Sequence, residues 1–298
     1  MVHLRNALVL HRELGLELIE CEHDAYKLDW GWDNIVVNYA SYYMPWRAYF
    51  DGVMRSDAKL WWIVNDHDIE DSMLLRAVLH KTGGRRQYGV ISNNSREGYR
   101  QWILRKWIVK DKKRLNDCIS SWHTINLNAL TYEDMRQAIP IRAELFDNPA
   151  IYWGSWRKWR LPYFQKYSDP RITFSTSAKN ARKLQRLGCR YNFIPKLLWG
   201  RHSPLHFSNA TVYIEDPHTH HNYAFPANRF YEAISYGVDV YFDPSCRLTA
   251  DRIGGATFID GAQDLIDAAT TRRQDQSLWR EQAAAARTTA LRQIGEII

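Results

Sequence analysis

The stretch FPANRFYEAISYGVDVYFD, residues 225–243, puts Arg229 and Glu232 three residues apart where a short helix should begin, at Ala227–Asn228. A guanidinium at a helix N-terminus suits an anion, because the unbonded backbone N–H groups and the helix dipole both favour negative charge there. A carboxylate about one turn further in is placed to accept two ribose hydroxyls. The alternative is an intrahelical Arg–Glu contact on a solvated face, worth only ~0.2–0.5 kcal/mol.

Two other stretches combine the right residue types. In VNDHDIED, Asp66 and Asp68 end a very apolar run. A partly desolvated carboxylate has a raised pKa and can act as a base. The same aspartates also suit the cap of a following helix. In YWGSWRKWR, residues 152–160, Gly154 allows a tight turn, and Arg157 and Arg160 fall on one face of a first helical turn. Two guanidinium groups near a helix N-terminus would hold a diphosphate, or they form a solvated basic face. His218, His220 and His221 lie in a loop and lack the ligand spacing of known structural metal sites. There is no GxSxG, P-loop or GxGxxG pattern.

The elements that must carry these residues can be read from the pattern. DNIVVNYA (33–40), AKLWWIVNDHD (58–68) and QYGVISNN (87–94) read as buried strands. Between them, the segments after Pro45 and over 69–83 read as helices, and Ser95 caps another. The start, LRNALVLHREL, reads as a helix with Leu4, Ala7, Leu8 and Leu14 on its apolar face, followed by LELIEC as a strand. Residues 130–149 break the pattern, and Pro140 and Pro149 bracket a segment that reads as a linker. Alternation then resumes: AIYWGS, ITFSTS and TVYIED as strands, RKWRLPYFQKY and AKNARKLQRLG as helices, and GATFID as a short strand. The Ala-rich end reads as a long helix. Apolar strands alternating with helices indicate parallel sheets covered on both faces. The expectation is an α/β chain of two Rossmann-like domains, 1–148 and 149–275, with a C-terminal helix over 276–298 that packs back on the first domain.

Composition narrows the partner. The 298 residues are 45% hydrophobic and carry a net charge of +7, which favours an anionic partner such as nucleic acid or nucleotide. Thirteen tryptophans and seventeen tyrosines, interleaved with arginine, suit base or sugar stacking as well as an ordinary core. The four cysteines are scattered, without a CxxC pair, and read as buried thiols of a reducing compartment. No apolar run approaches the roughly 18–20 residues of a membrane span, and the charged first residues do not read as a signal peptide. No membrane partner is therefore expected, and the location is the cytoplasm.

In order and spacing, WDNIVVNYASYY, AKLWWIVNDHD, AIYWGSWRKWRLPYF and TVYIEDPHTHHNYAFPANRFYEAISYGVDVYFD resemble the glycosyltransferases of the two-Rossmann-domain (GT-B) class. They look most like the T-even phage DNA β-glucosyltransferases and related phage enzymes. The resemblance runs over roughly residues 4–75 and 150–290. It implies a uridine-diphosphate sugar as co-substrate, held mainly by the second domain. By position Arg157 and Arg160 match two diphosphate-binding arginines, spaced by three where the family has four. Glu232 matches a ribose-binding glutamate, Arg229 supports the phosphate end, and Asp66 matches the catalytic base. Magnesium or manganese on the diphosphate is implied by resemblance alone. The family opens on a strand and loop before its first helix. This chain opens on what reads as that helix, so the first domain is expected to lack that strand, unless NALVL is the strand itself.

The function expected is transfer of a sugar to a hydroxylated pyrimidine in double-stranded DNA, by a monomer in the phage-infected cell. Asp68 and the arginine- and aromatic-rich stretch 96–122, with Arg96, Arg100, Arg105 and Lys106, would form the DNA face. That stretch reads equally as an amphipathic helix with a solvated basic side. The base would be flipped out to expose its hydroxyl. Transfer to a glycan, or binding of nucleotide or nucleic acid without catalysis, are the competing readings.

Overall fold

The computed structural model describes residues 2–17, 28, 30–38, 46–64, 73–97, 117–132, 150–153, 156, 158–195, 203–215, 225–271 and 274–298. The chain divides into two compact units. One comprises Met1–Thr131, Asn222–Phe225 and Ala286–Ile298; the other comprises Tyr132–His221 and Pro226–Ala285.

The first unit opens on helix α1 (Val2–Leu14). NALVL lies inside this helix, so the strand alternative for it is overturned. Glu17 and its neighbours up to Gly15 are irregular, and the rest of LELIEC lies outside the described residues. Strand β1 (Asn34–Asn38), helix α2 (Trp46–Arg55), β2 (Lys59–Val64), helix α3 (Met73–Lys81), β3 (Tyr88–Ser92) and β4 (Ile119–Thr124) follow. The four strands form one sheet in the order β1-β2-β3-β4, with parallel pairing throughout. Alternate β2 residues serve opposite faces. Leu60 and Trp62 pack with Val53, Val78, Leu79 and Val90 on one side; Trp61 and Ile63 pack with Val9, Leu10, Ala290 and Ile294 on the other. That division explains why β2 is apolar at every position after Lys59: helices cover both faces of the sheet. It also corrects the apolar face of α1. Val9 and Leu10 are buried, while Leu8 is 43% exposed.

The second unit holds β5 (Ala150–Tyr152), helix α4 (Leu161–Lys166), β6 (Ile172–Thr176), helix α5 (Ala178–Arg186), β7 (Asn192–Pro195), β8 (Ala210–Tyr213), helix α6 (Asn228–Ser235) and β9 (Asp239–Phe242). Helices α7 (Arg247–Ile253), α8 (Ala262–Thr270) and α9 (Ser277–Ile297) complete it, and the last turns of α9 belong to the first unit. Its five strands are parallel in the order β7-β6-β5-β8-β9. The chain therefore builds outward from β5 in one direction, then returns and builds from β8 in the other. The crevice between β5 and β8, at their carboxyl ends, is the topological switch point where open α/β sheets bind ligands.

Two details depart from the sequence reading. GATFID contributes one bridge, Phe258 to Phe242, and no strand. The helix expected over RKWRLPYFQKY is a 3-10 turn, Lys158–Arg160, that leads into α4 at Leu161. Leu130 is buried in a 3-10 turn (Leu127–Thr131), and the linker expected between Pro140 and Pro149 lies outside the described residues. No helix among the described residues is long and apolar enough to cross a membrane.

Candidate functional site

Helix α6 begins at the carboxyl-end side of the switch point. Ala227, preceding it, is extended (φ −65°, ψ 154°) and supplies no side-chain cap. The Ala227 N–H is held instead by the hydroxyl of Tyr213, the last residue of β8, at 2.9 Å. The helix ends by turning through Gly237 in the left-handed region (φ 71°). The Gly237 N–H bonds the carbonyl of Ile234 at 3.1 Å, and the Val238 N–H bonds that of Ala233 at 3.0 Å, a glycine-terminated helix end. Arg280 also donates to the Ile234 carbonyl at 3.1 Å. Behind the helix, Phe230 lies against Tyr213, Phe242 and Trp279, with ring centroids 5.6–6.4 Å apart.

With its far side so packed, α6 has no solvated face. Every residue from Arg229 to Ser235 is buried. Arg229 is 9% exposed and Glu232 3%, which removes the reading of both as solvated surface. Both oxygens of Glu232 are engaged. The indole of Trp153, the residue after β5, donates to Oε2 at 2.8 Å, and Asn228 Nδ2 donates to Oε1 at 3.3 Å. Trp153 thus ties the end of β5 to α6 across the switch point.

The Arg229 guanidinium lies over the Tyr213 ring, 5.7 Å from its centroid. Its Nη1 is buried and meets no hydrogen-bond acceptor among the described residues. Arg160 is buried at 6% exposure where the 3-10 turn enters α4. Arg160 and Arg229 act on the same group. Burial pushes the Tyr152 hydroxyl above the ordinary tyrosine range, and both guanidiniums oppose that shift. The Tyr152 hydroxyl is itself buried with no hydrogen-bond partner among the described residues. The end of β5 therefore meets two buried cations and a carboxylate already held in place.

Sequence reasoning missed Trp153 and Tyr213, and it missed Glu215. This buried carboxylate just past β8 accepts from Tyr213 OH at 3.2 Å and from the Thr249 hydroxyl. The signal for Tyr213 and Glu215 was present in TVYIED, a strand ending in polar groups at the switch point.

Of the remaining sequence candidates, Arg96 is exposed in a helical turn. Asp66, Asp68, Arg100, Arg105, Lys106, Gly154, Arg157 and the three histidines of HTHH lie outside the described residues. Among the described residues there is no group of three or more His, Cys, Asp or Glu that could hold a metal ion.

No family model matches the chain, and no curated protein matches it. Among solved structures, the chain is similar to an aspartate-to-alanine mutant of T4 phage BGT, a DNA β-glucosyltransferase, in complex with UDP-glucose. The TM-score is 0.59 over 98% of this chain and 89% of that one, at 11% identity. The likeness is one of fold, and the two parallel-sheet units are of the GT-B type.

Proposed function

We propose that the chain is a glycosyltransferase that moves a sugar from a uridine-diphosphate donor to a hydroxylated pyrimidine in DNA. The observation that carries the reading is Arg229, a buried cation at a helix N-terminus beside the switch point, whose Nη1 meets no acceptor among the described residues. A buried cationic N–H left without an acceptor costs ~1–3 kcal/mol or more, and a bound anion would offset that cost. A similar fold has been solved with UDP-glucose bound, which supports that anion being a nucleoside diphosphate.

The residues divide the work as follows. Arg229, Arg160 and Arg157, with Gly154, hold the diphosphate and stabilise the charge that develops on it as the sugar leaves. Glu232, preset by Trp153 and Asn228, accepts the ribose hydroxyls. Asp66 takes the proton of the attacking hydroxyl as general base. Magnesium or manganese, where one takes part, would be held against the donor's diphosphate. DNA enters as the acceptor because the chain is cationic, and Arg96, Arg100, Arg105 and Lys106 would contact its phosphates.

Calorimetric titration with uridine diphosphate, beside adenosine diphosphate, tests the donor site. Micromolar binding of the uridine nucleotide that is lost in Glu232→Ala is expected; no binding of either nucleotide overturns the reading. Transfer of labelled sugar to hydroxymethylated DNA, abolished in Asp66→Ala while donor binding persists, tests the reaction. Transfer to a glycan and not to DNA would decide for the other acceptor.

A further inference from the structure

Between Asp169 and Glu215 the chain has no acidic residue and eight lysines and arginines. Helix α5 lies in the middle of this stretch. Its one buried residue, Leu184, faces the core of the second unit. On its exposed side Lys179, Arg182, Lys183 and Arg186 recur at i, i+3, i+4 and i+7, which stacks four cations in one stripe. Arg190, also exposed, follows just past the helix.

None of these five cations forms an ion pair among the described residues. Other cations of the protein do find partners: Arg171 with Asp169, Lys166 with Asp243, Arg287 with Glu13 and Arg292 with Glu296. The stripe is also set against the helix it sits on. Like charges at i, i+3 and i, i+4 repel. Lys179, in the first turn, lies at the wrong end of the helix dipole. The Ser177 hydroxyl, accepting from the Asn180 N–H at 3.3 Å, caps that end without adding negative charge. Folding alone gives no reason for such an arrangement, whereas a polyanion laid along the helix would relieve it.

We infer that the exposed face of α5 and its exit turn bind the phosphodiester backbone of duplex DNA, independently of sequence. From Lys179 to Arg186 the stripe runs about 10 Å, long enough to meet successive phosphates of one strand. A membrane surface fits less well, because interfacial helices bury a broad apolar face in lipid and the apolar side of α5 is occupied by its own core. The stripe also starts at the site end of the sheet. Helix α5 follows the carboxyl end of β6, and the Lys183 ammonium lies 5.0 Å from the ring centroid of Trp156, three residues beyond Trp153. The inference rests on the proposal that DNA is the acceptor.

The test uses the full chain, a short unmodified DNA duplex and a salt series, read by fluorescence anisotropy. The variant Lys179→Gln/Arg182→Gln/Arg186→Gln spares Lys183 and changes only exposed side chains. Three lost phosphate contacts should take about 2–3 units off the slope of log K against log salt, and weaken binding about tenfold or more at low salt. Circular dichroism and uridine diphosphate affinity should stay as in the parent. An unchanged slope and affinity for DNA in the variant overturn the inference, as does parent protein that binds anionic vesicles and not DNA. Loss of uridine diphosphate binding in the parent would instead overturn the donor site, so the two readings fail separately.

Discussion

The indole N–H of Trp153 and the carboxylate of Glu232 meet at 2.8 Å, although 79 residues separate them in the chain. One leaves the end of β5 and the other lies one turn into α6, so their bond closes the switch point. A carboxylate free to change rotamer would have to be ordered by each incoming ligand, whereas this one is already fixed. Preorganisation of this kind lowers the entropic cost of binding.

Trp153→Phe keeps an aromatic ring and removes the donor. A hydrogen bond to a charged group contributes ~1.5–3 kcal/mol, and part of that should appear as donor affinity. Uridine diphosphate should bind about tenfold more weakly, equivalent to ~1.4 kcal/mol, with the remainder seen as a fall in melting temperature, because the buried carboxylate loses a donor. Titration calorimetry on the variant reads it. Parent-like affinity would mean that Asn228 alone orients the carboxylate.

The legible parts of the fold were those whose local pattern is set by burial on both faces. Strands β1, β2, β3, β5, β6, β8 and β9 stood out because each carries an apolar run or a clear alternation, even at the sheet edges β1 and β9. Strands β4 and β7 did not. Each is an edge strand with a partly exposed pattern, ISSWHT and NFIP, in which polar residues and proline mask the strand signal. The α1 face was misjudged for a similar reason. Its partners, Ala290 and Ile294, lie at the other end of the chain, and local spacing cannot announce them. At the site, Arg229 and Glu232 were legible as residue types near a helix start. Their burial was not, because it depends on Trp279 and Phe242 packing behind the helix.

Buried tyrosines set the alkaline limit of stability. Burial raises the hydroxyl pKa of Tyr88, Tyr152, Tyr167, Tyr191 and Tyr213; Asp243 adds to the effect at Tyr167 and Glu215 at Tyr213. The unfolded chain loses these protons near its ordinary pKa of about 10, while the folded chain keeps them. Their contribution is complete below about pH 10 and is lost as pH rises beyond it, because the unfolded state then binds fewer protons. Urea unfolding should show a plateau through neutral pH and a steep fall above about pH 10. Phenolate absorbance should rise in step with unfolding. Tyrosinate forming in full while the fold persists would contradict this.

Gly89 in β3 leaves no room for a side chain. A Cβ there would stand 2.1 Å from Cζ3 of Trp61, which is fully buried in the neighbouring strand, and 2.9 Å from the Ser121 hydroxyl on the other side. Neither neighbour is the loose end of a flexible chain. Gly89→Ala should therefore overpack the first unit and destabilise it by ~1–3 kcal/mol. Denaturant unfolding measures this. Uridine diphosphate affinity should be retained in molecules that remain folded, since Arg160, Arg229 and Glu232, the residues proposed to hold the donor, lie in the second unit.

Tyr213 joins three parts of the candidate site, and its ring and hydroxyl can be separated by mutation. The ring carries the Arg229 guanidinium. The hydroxyl accepts the Ala227 N–H and donates to Glu215. Tyr213→Phe keeps the first contact and removes the other two. The Ala227 N–H then loses its acceptor, while Glu215 keeps the Thr249 hydroxyl. A buried donor left unmet costs ~1–3 kcal/mol, so a loss of stability in that range is expected. If the hydroxyl also fixes where α6 begins, uridine diphosphate should bind more weakly in the variant even under conditions where it is fully folded. Adding Thr249→Val should cost more than the sum of the two single changes, because Glu215 then loses both hydroxyl donors. Strict additivity in the double-mutant cycle would show that the two hydroxyls serve the carboxylate independently.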